Sequence, residues 1–149
     1  MIEERPMVVP SVYLILMKND SILLSRRYNT GFQDGKYSFP AGHLSGNEET
    51  IRQAMVREAR EELGIEVDLT DLELVHVIHR RQQQPIRRRR IDLFFTARKW
   101  KGEPKNMETN KCDDLGWFRI DRLLDNTVPY IKQAIDCIRN RIPYSECGW

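Results

Sequence analysis

Apolar residues along this chain fall into short dense runs, and in one place they change to a helical stripe. Val8 to Met17 is apolar apart from Pro10, Ser11 and Tyr13, and after the turn pair Asn19-Asp20 a second run covers Ser21 to Arg27. Two such runs across a short turn predict a β-hairpin entering the core. Tyr28 to Lys36 is rich in Gly, Asn and Asp and reads as loop, followed by a short extended piece, Tyr37 to Leu44, that contains Pro40 and Gly42. Glu49 to Leu63 then repeats at helical period and is closed by Gly64, a C′ glycine. Leu72 to Arg80 and Ile91 to Lys99 predict strands around a polar, basic connection, Arg81 to Arg90. Trp117-Phe118 predicts a short strand and Asp121 to Leu124 a helical turn. A last helix, Pro129 to Arg141, is expected from Ile131, Ala134, Ile135, Ile138 and Ile142 at helical spacing. Strands before, around and after two helices predict one α/β or α+β domain over residues 1–149.

Composition narrows the class. At 149 residues the chain can remove roughly 70% of its unfolded surface from water, so it needs no staples. Its 40% hydrophobic content excludes disorder as the dominant state. Lys plus Arg (24) against Asp plus Glu (22) leaves +2, too little for a wholesale nucleic-acid coat. Cys112, Cys137 and Cys147 are odd in number, widely spaced and without a C-x-x-C, which suits a reducing cytosol. The Met7 to Met17 run is too short to span a bilayer, and acidic residues (Glu3, Glu4) precede it where a secretory signal carries basic ones. A buried strand, a cytoplasmic protein and no membrane partner are expected.

The chemistry sits on the first helix. Placed on a wheel at about 100° per residue, Ile51, Met55, Ala59 and Leu63 form one apolar stripe. Glu62 falls inside that stripe, and Glu58 and Glu61 lie on its shoulder, so the three carboxylates share one patch at i, i+3, i+4 spacing. A solvated acidic face is the bland account of such a trio, and the position beside the core argues against it. Like charges so placed repel, and partial burial makes them costlier. A hard divalent cation relieves the repulsion, and oxygen-only ligands suit Mg²⁺ or Mn²⁺.

From Gly42 the chain runs GHLSGNEETIRQAMVREAREELGI, ending at Ile65. This resembles the Nudix signature, Gly-x5-Glu-x7-Arg-Glu-U-x-Glu-Glu-x-Gly-U, where U is bulky and apolar. Arg57 to Ile65 fits the second half, with Ala59 a small choice for the first U. Between Gly42 and Glu49 there is one residue more than the pattern has, placed around Gly46-Asn47, which leaves Glu48 and Glu49 as rival partners for Arg57. Ser38-Phe39-Pro40-Ala41-Gly42 before the motif and Trp117-Phe118 after it extend the resemblance.

The resemblance implies an α/β/α sandwich with a mixed sheet, and a Mg²⁺-dependent enzyme (Mn²⁺ as an alternative) that cleaves nucleoside diphosphate derivatives. It implies Glu58 and Glu62 as metal ligands and Glu61 as ligand or base toward water. A backbone carbonyl near Ala41 or Gly42 completes the shell. Gly42, Glu49, Arg57 and Gly64 would be structural. A further catalytic acid is expected from the loop Trp100 to Glu108, which resembles the Gly-Glu-Pro loop of MutT-type members. Glu108 is the first candidate and Glu103 the alternative. Arg26, Arg27 and His43 are candidate substrate contacts, because they stand beside the motif loop. His76, His79, Trp100, Trp117 and Phe95 read as structural, and Asn126 as a cap or turn residue.

The window Ile78 to Gln82 lacks the Pro or Tyr that marks the ADP-ribose and dinucleoside-polyphosphate branches, which leaves a nucleoside triphosphate as the substrate. A second reading is a nucleic-acid protein using Arg80, Arg81 and Arg87 to Arg90, set against a solvated hairpin tip with no interleaved aromatics. A silent Nudix sensor is a third, disfavoured by intact Glu58, Glu61 and Glu62. Monomer and homodimer both stay open.

Overall fold

The computed structural model describes residues 3–149. In chain order the elements are β1 (Val9–Ile15), β2 (Met17–Lys18), β3 (Ser21–Arg27), β4 (Tyr37–Ser38), β5 (Ala41–His43), α1 (Ile51–Leu63), a 3₁₀ turn (Leu69–Asp71), β6 (Leu72–Gln82), β7 (Arg88–Ala97), β8 (Cys112–Arg119), α2 (Pro129–Arg139) and β9 (Tyr144–Cys147). They form a five-stranded sheet in the order β5-β1-β7-β6-β9 and a four-stranded sheet around β3. The larger sheet is mixed: β1 runs parallel to β7 and antiparallel to β5, β7 antiparallel to β6, and β6 parallel to β9.

Strand alternation divides the core. Val12, Leu14 and Leu16 pack with Ala54, Met55, Ala59 and Leu63 of α1, whereas Tyr13 and Ile15 pack with Ile131, Ala134 and Ile135 of α2. A strand buried on both faces is what the near-continuous apolar run of β1 requires. With one helix on each face of a mixed sheet, the expected α/β/α arrangement is met. Each fully buried Met or Leu here contributes about 1.5–3 kcal/mol.

Several expectations change. The hairpin is divided between the two sheets: both edges of β1 are taken, by β5 and β7, so β3 cannot pair with it. Only Met17-Lys18 pair with Ser21-Ile22, in the other sheet. Helix α1 starts at Ile51 rather than Glu49, because Thr50 caps it. Its hydroxyl accepts the Gln53 N–H at 3.2 Å, and Gln53 Oε1 accepts the Thr50 N–H at 2.9 Å. Both ends of the basic connection are strand, with Arg80, Arg81 and Gln82 opposite Arg90, Arg89 and Arg88, and only residues 83–87 are loop. Backbone pairing is indifferent to the charge it carries, and alternation turns Arg80 and Arg90 inward while Arg89 faces out. Asp121 to Leu124 is turn rather than helix, held by Arg119 on Asp121 at 2.9 Å. Helix α2 stops at Arg139, leaving Ile142 44% exposed, and β9 has no counterpart in the sequence reading. Among the described residues no helix is long and apolar enough to cross a membrane.

Candidate active site

Helix α1 meets β5 through its acids. Met55, Ala59 and Leu63 are buried, Glu58 and Glu62 half-buried, and Glu61 exposed. A Cβ built on Gly42 would lie 2.0 Å from Glu58 Cδ, so only glycine lets that carboxylate rest on the β5 backbone. Glu62 Oε2 accepts the Ala41 N–H at 3.0 Å. Burial raises the pKa of Glu58, with Glu61 and Glu108 adding to it against Arg57. Burial raises Glu62 further, followed by the charges of Glu58 and Glu108.

The rivalry for Arg57 is decided by geometry. Glu49 takes it twice, Nε to Oε2 at 2.7 Å and Nη2 to Oε1 at 3.0 Å. Arg57 Nη2 also donates to the His43 carbonyl at 2.7 Å, and Nη1 to Glu58 and Glu61 at 2.8 and 3.1 Å. These contacts, with the Glu49 hydrogen bond first, hold the guanidinium above its ordinary pKa. Between Gly42 and α1 the loop turns at Gly46, which adopts φ +70°, and Glu49 Oε1 folds back to accept the Ser45 N–H at 2.8 Å.

Gly42, Arg57, Glu58, Glu61 and Glu62 line a cleft of about 770 Å³. Glu108 joins them, delivered by a loop docked on the end of α1: Lys105 and Met107 donate backbone N–H to the carbonyls of Leu63 (2.9 Å) and Glu62 (3.0 Å). Glu103 does not line the cleft. Arg27 does, but its Nε donates to the Phe32 carbonyl at 2.6 Å and its Nη2 to Thr30 at 3.1 Å, bracing the 28–36 loop. Arg26 is turned away, paired with Asp113 at 2.7 Å, and is not among the cleft residues. Asn126 holds the Gly35 carbonyl at 3.0 Å, a turn role. His76 is buried between the Ile142 carbonyl (2.8 Å) and Ser145 (2.9 Å), and His79 lies against Trp149, so neither reaches the cleft.

His43 does reach it. Burial, then Arg90 and Arg88, lower its pKa. Arginine has donors only, so the contact of Arg90 Nη2 with His43 Nε2 makes that nitrogen the acceptor. Beyond His43 the cleft is lined by Ser11, Tyr13, Gln82 and Tyr130, which the sequence did not single out, and by Arg80, Arg88 and Arg90, which it offered only as contacts to a nucleic acid. The available signal was the alternation of β6 and β7, which puts Arg80, Arg90 and Asp92 on a face otherwise occupied by Ile78 and Phe94.

Oxygen donors dominate the acidic side, and two of them are desolvated and crowded by like charge, which fits a hard cation. The expected convergence is met only in part: among the described residues no three acidic, His or Cys side chains are gathered closely enough to hold an ion as they stand. Glu58 and Glu61 instead share Arg57 Nη1.

The chain matches the family described as NUDIX domain over residues 7–136, and it belongs to that family. It is 32% identical over 122 residues to the NAD-capped RNA hydrolase NudC of Pseudomonas aeruginosa, covering 82% of this chain. It spans about 40% of the length of that relative. It is 33% identical over 91 residues to the 8-oxo-dGTP diphosphatase of Proteus vulgaris, covering 60% of this chain and 75% of that one. The MutT NUDIX hydrolase structure from Burkholderia pseudomallei superimposes with TM-score 0.77 at 24% identity, over 89% of this chain and 98% of that one. The MutT protein of Bacillus halodurans gives 0.72 at 20% identity, over 93% and 88%. These two share its fold.

Proposed function

We propose that this chain is a Mg²⁺-dependent hydrolase, with Mn²⁺ as an alternative ion, that cleaves a phosphoanhydride bond of a nucleoside triphosphate or related nucleoside diphosphate derivative. The observation that carries the reading is the crowding of Glu58, Glu62 and Glu108 beside the Ala41-Gly42 backbone in an open cleft. A bound divalent ion neutralises phosphate charge and lowers the pKa of the attacking water. Glu58 and Glu62 are the residues to hold it, with Glu61 as further ligand or as acceptor of the water's proton. Glu108 assists as a base or added ligand. Arg57 orients the motif loop through Glu49 and the His43 carbonyl. His43 and Arg27 line the cleft and are the candidate substrate contacts.

A second reading, an RNA 5′-end substrate, gains from Trp149, 55% exposed, whose ring lies within 5.5 Å of the Arg81 guanidinium and 5.9 Å of that of Arg89. An aromatic therefore does interleave with the basic hairpin, brought from the far end of the sequence. The deciding experiment is a screen of the purified protein with Mg²⁺ against nucleoside triphosphates, nucleotide sugars, dinucleoside polyphosphates and 5′-triphosphate RNA. Cleavage of one class, read from the nucleotide products left behind, supports the reading; no turnover of any of them, with Mg²⁺ or with Mn²⁺, overturns it.

A further inference from the structure

The cleft is bipolar. Its acidic lining residues, Glu58, Glu61, Glu62 and Glu108, are all on the α1 side, and across the β6–β7 floor the charged residues that line it are Arg80, Arg88 and Arg90. Two of those arginines are buried, with side-chain exposures of 5% (Arg80) and 8% (Arg90), and between them stands one carboxylate, Asp92, at 0%. Arg80 takes that carboxylate, Nε to Oδ2 at 2.6 Å and Nη2 to Oδ1 at 3.3 Å. Arg90 Nε stands 4.0 Å from Asp92 Oδ1, beyond hydrogen-bonding reach, and among the described residues it is the one buried side-chain polar atom without a partner. The remaining partners of Arg90 are neutral: Ser11 Oγ at 2.6 Å, Gln82 Oε1 at 3.3 Å and His43.

Two cations against one anion leave a net positive charge in a desolvated place. Such a charge is costly unless something pairs with it. Asp92 faces both arginines, hydrogen-bonded to Arg80 and 4.0 Å from Arg90, and its single charge offsets only one of the two. The fork is also held rigid. The Arg80 guanidinium lies 3.9 Å from the Tyr130 ring centroid, and Tyr130 in turn shares a 3.2 Å hydroxyl contact with Tyr13. Tyr130, Tyr13 and both arginines line the same cleft as the glutamates. Preorganised guanidinium groups are matched to the planar or tetrahedral oxygens of carboxylate and phosphate. A neutral base carbonyl could accept the spare donors but would leave the charge; an anion satisfies both.

We propose that Arg80 and Arg90, with Arg88 at the mouth, form an oxyanion subsite that receives a phosphate or carboxylate carried by the part of the substrate that is not cleaved. The inference rests on the hydrolase reading above and narrows it. The substrate class becomes a phosphoanhydride bearing its own anionic group at the far end, which lies over the β6–β7 floor while the scissile bond lies beside α1. Burial of the pair means that only a group entering the cleft can reach it.

The test uses the full chain freed of divalent ions on a chelating resin, with no soluble chelator present, so that no ion can draw an anion to the glutamates and no added carboxylate competes. Calorimetric titration with inorganic phosphate, and in a separate arm with acetate, should show one site for the anion whose source the subsite serves. Arg90→Met should weaken it at least about tenfold, the scale of one lost charge-assisted contact. Arg90→Lys, which keeps the charge in a smaller perturbation, should retain part of the binding and covers the case in which the Met variant fails to fold. Arg87→Ser, outside the cleft, should bind as wild type. Absence of binding by both anions up to tens of millimolar overturns the proposal, as does wild-type binding by Arg90→Met. Because no turnover is involved, a protein that binds phosphate here yet hydrolyses nothing in the screen would overturn the hydrolase reading alone. A protein that hydrolyses but binds neither anion would overturn this subsite alone.

Discussion

Glu62 Oε2 accepts the Ala41 backbone N–H at 3.0 Å, tying the acidic turn of α1 to the strand that carries the motif glycine. A glutamine at 62 can keep that hydrogen bond through its amide oxygen while losing the charge. Glu62→Gln should therefore leave thermal stability unchanged or slightly raised, since burial and Glu58 already disfavour the ionised form. Turnover should fall on the order of 10²-fold or more, because the charge that holds the cation is gone. A near-wild-type rate at saturating Mg²⁺ would refute the assignment.

Gly42 gives a complementary probe. Its φ lies outside the left-handed region, so the nearest obstacle to a Cβ is the Glu58 side chain, 2.0 Å away at Cδ and 2.2 Å at Oε1. Gly42→Ala should push that flexible carboxylate aside with a stability change within about 1 kcal/mol. Activity should drop to the level of Glu58→Gln, and the Mg²⁺ titration should shift to higher concentration. If Gly42→Ala stays fully active at wild-type Mg²⁺, Glu58 is not required where it lies.

Much of this was legible in the sequence, because α1 carries its chemistry and its packing on one local period. Arg57, Glu58, Glu61, Glu62 and Gly64 are all within one helix and its C-cap, where spacing converts directly into geometry, whereas Thr50 as the N-cap and Glu49 rather than Glu48 as the partner of Arg57 come only from the structure. The β1–β3 pairing was misread because strand partners are a nonlocal choice: nothing in Val8 to Arg27 says that β5 and β7 occupy both edges of β1. The arginines were misassigned for a related reason. Charge in a run resembles a solvated loop until the opposite strand is known, and only the pairing of Arg80 with Arg90 reveals that both point inward. Trp149 meets Arg81 and Arg89 from 68 and 60 residues away in sequence, a contact no local pattern carries.

The Arg57–Glu49 pair makes a pH prediction. Hydrogen bonds from Arg57 and then from the Ser45 N–H hold the Glu49 carboxyl below its ordinary value of 4.5. A lowered folded pKa gives stability that is present above the ordinary value and is lost as pH falls through the folded one. Glu49→Gln should thus melt below wild type at pH 7, and the two melting curves should merge only as pH falls through the lowered folded pKa of Glu49, below its ordinary value. A difference that persists unchanged once that carboxyl is protonated would mean that shape rather than charge sustains the contact.

The loop acid is a choice between two residues. Glu108 lines the cleft and its backbone N–H is fixed by Asn106 Oδ1 at 3.1 Å, whereas Glu103 lies outside. Glu108→Gln should lower turnover about 10²- to 10⁴-fold if it is the base, with melting temperature unchanged. Glu103→Gln should stay within about threefold, a barrier change under roughly 1 kcal/mol. The reverse pattern would transfer the role to Glu103.

The arginine hairpin separates a small-nucleotide enzyme from one that grips RNA. Arg90 and Arg88 line the cleft, so the residues free to serve a polymer are Arg87 and Arg89 on the exposed side, with Trp149 against Arg89. Counterion release gives a log–log salt slope of about −0.7 for each single-strand phosphate contacted. Replacing both Arg87 and Arg89 with Ser should flatten the slope of any RNA retention by roughly 1.4. Hydrolysis of free nucleotides should stay within about threefold of wild type, because neither side chain reaches the cleft. Steady-state rates on a nucleoside triphosphate and on 5′-triphosphate RNA, each at two salt concentrations, read both effects at once. If the RNA is processed far faster than any free nucleotide, and that preference disappears in the double variant, the hairpin is part of the substrate site. The polymer reading then replaces the small-molecule one.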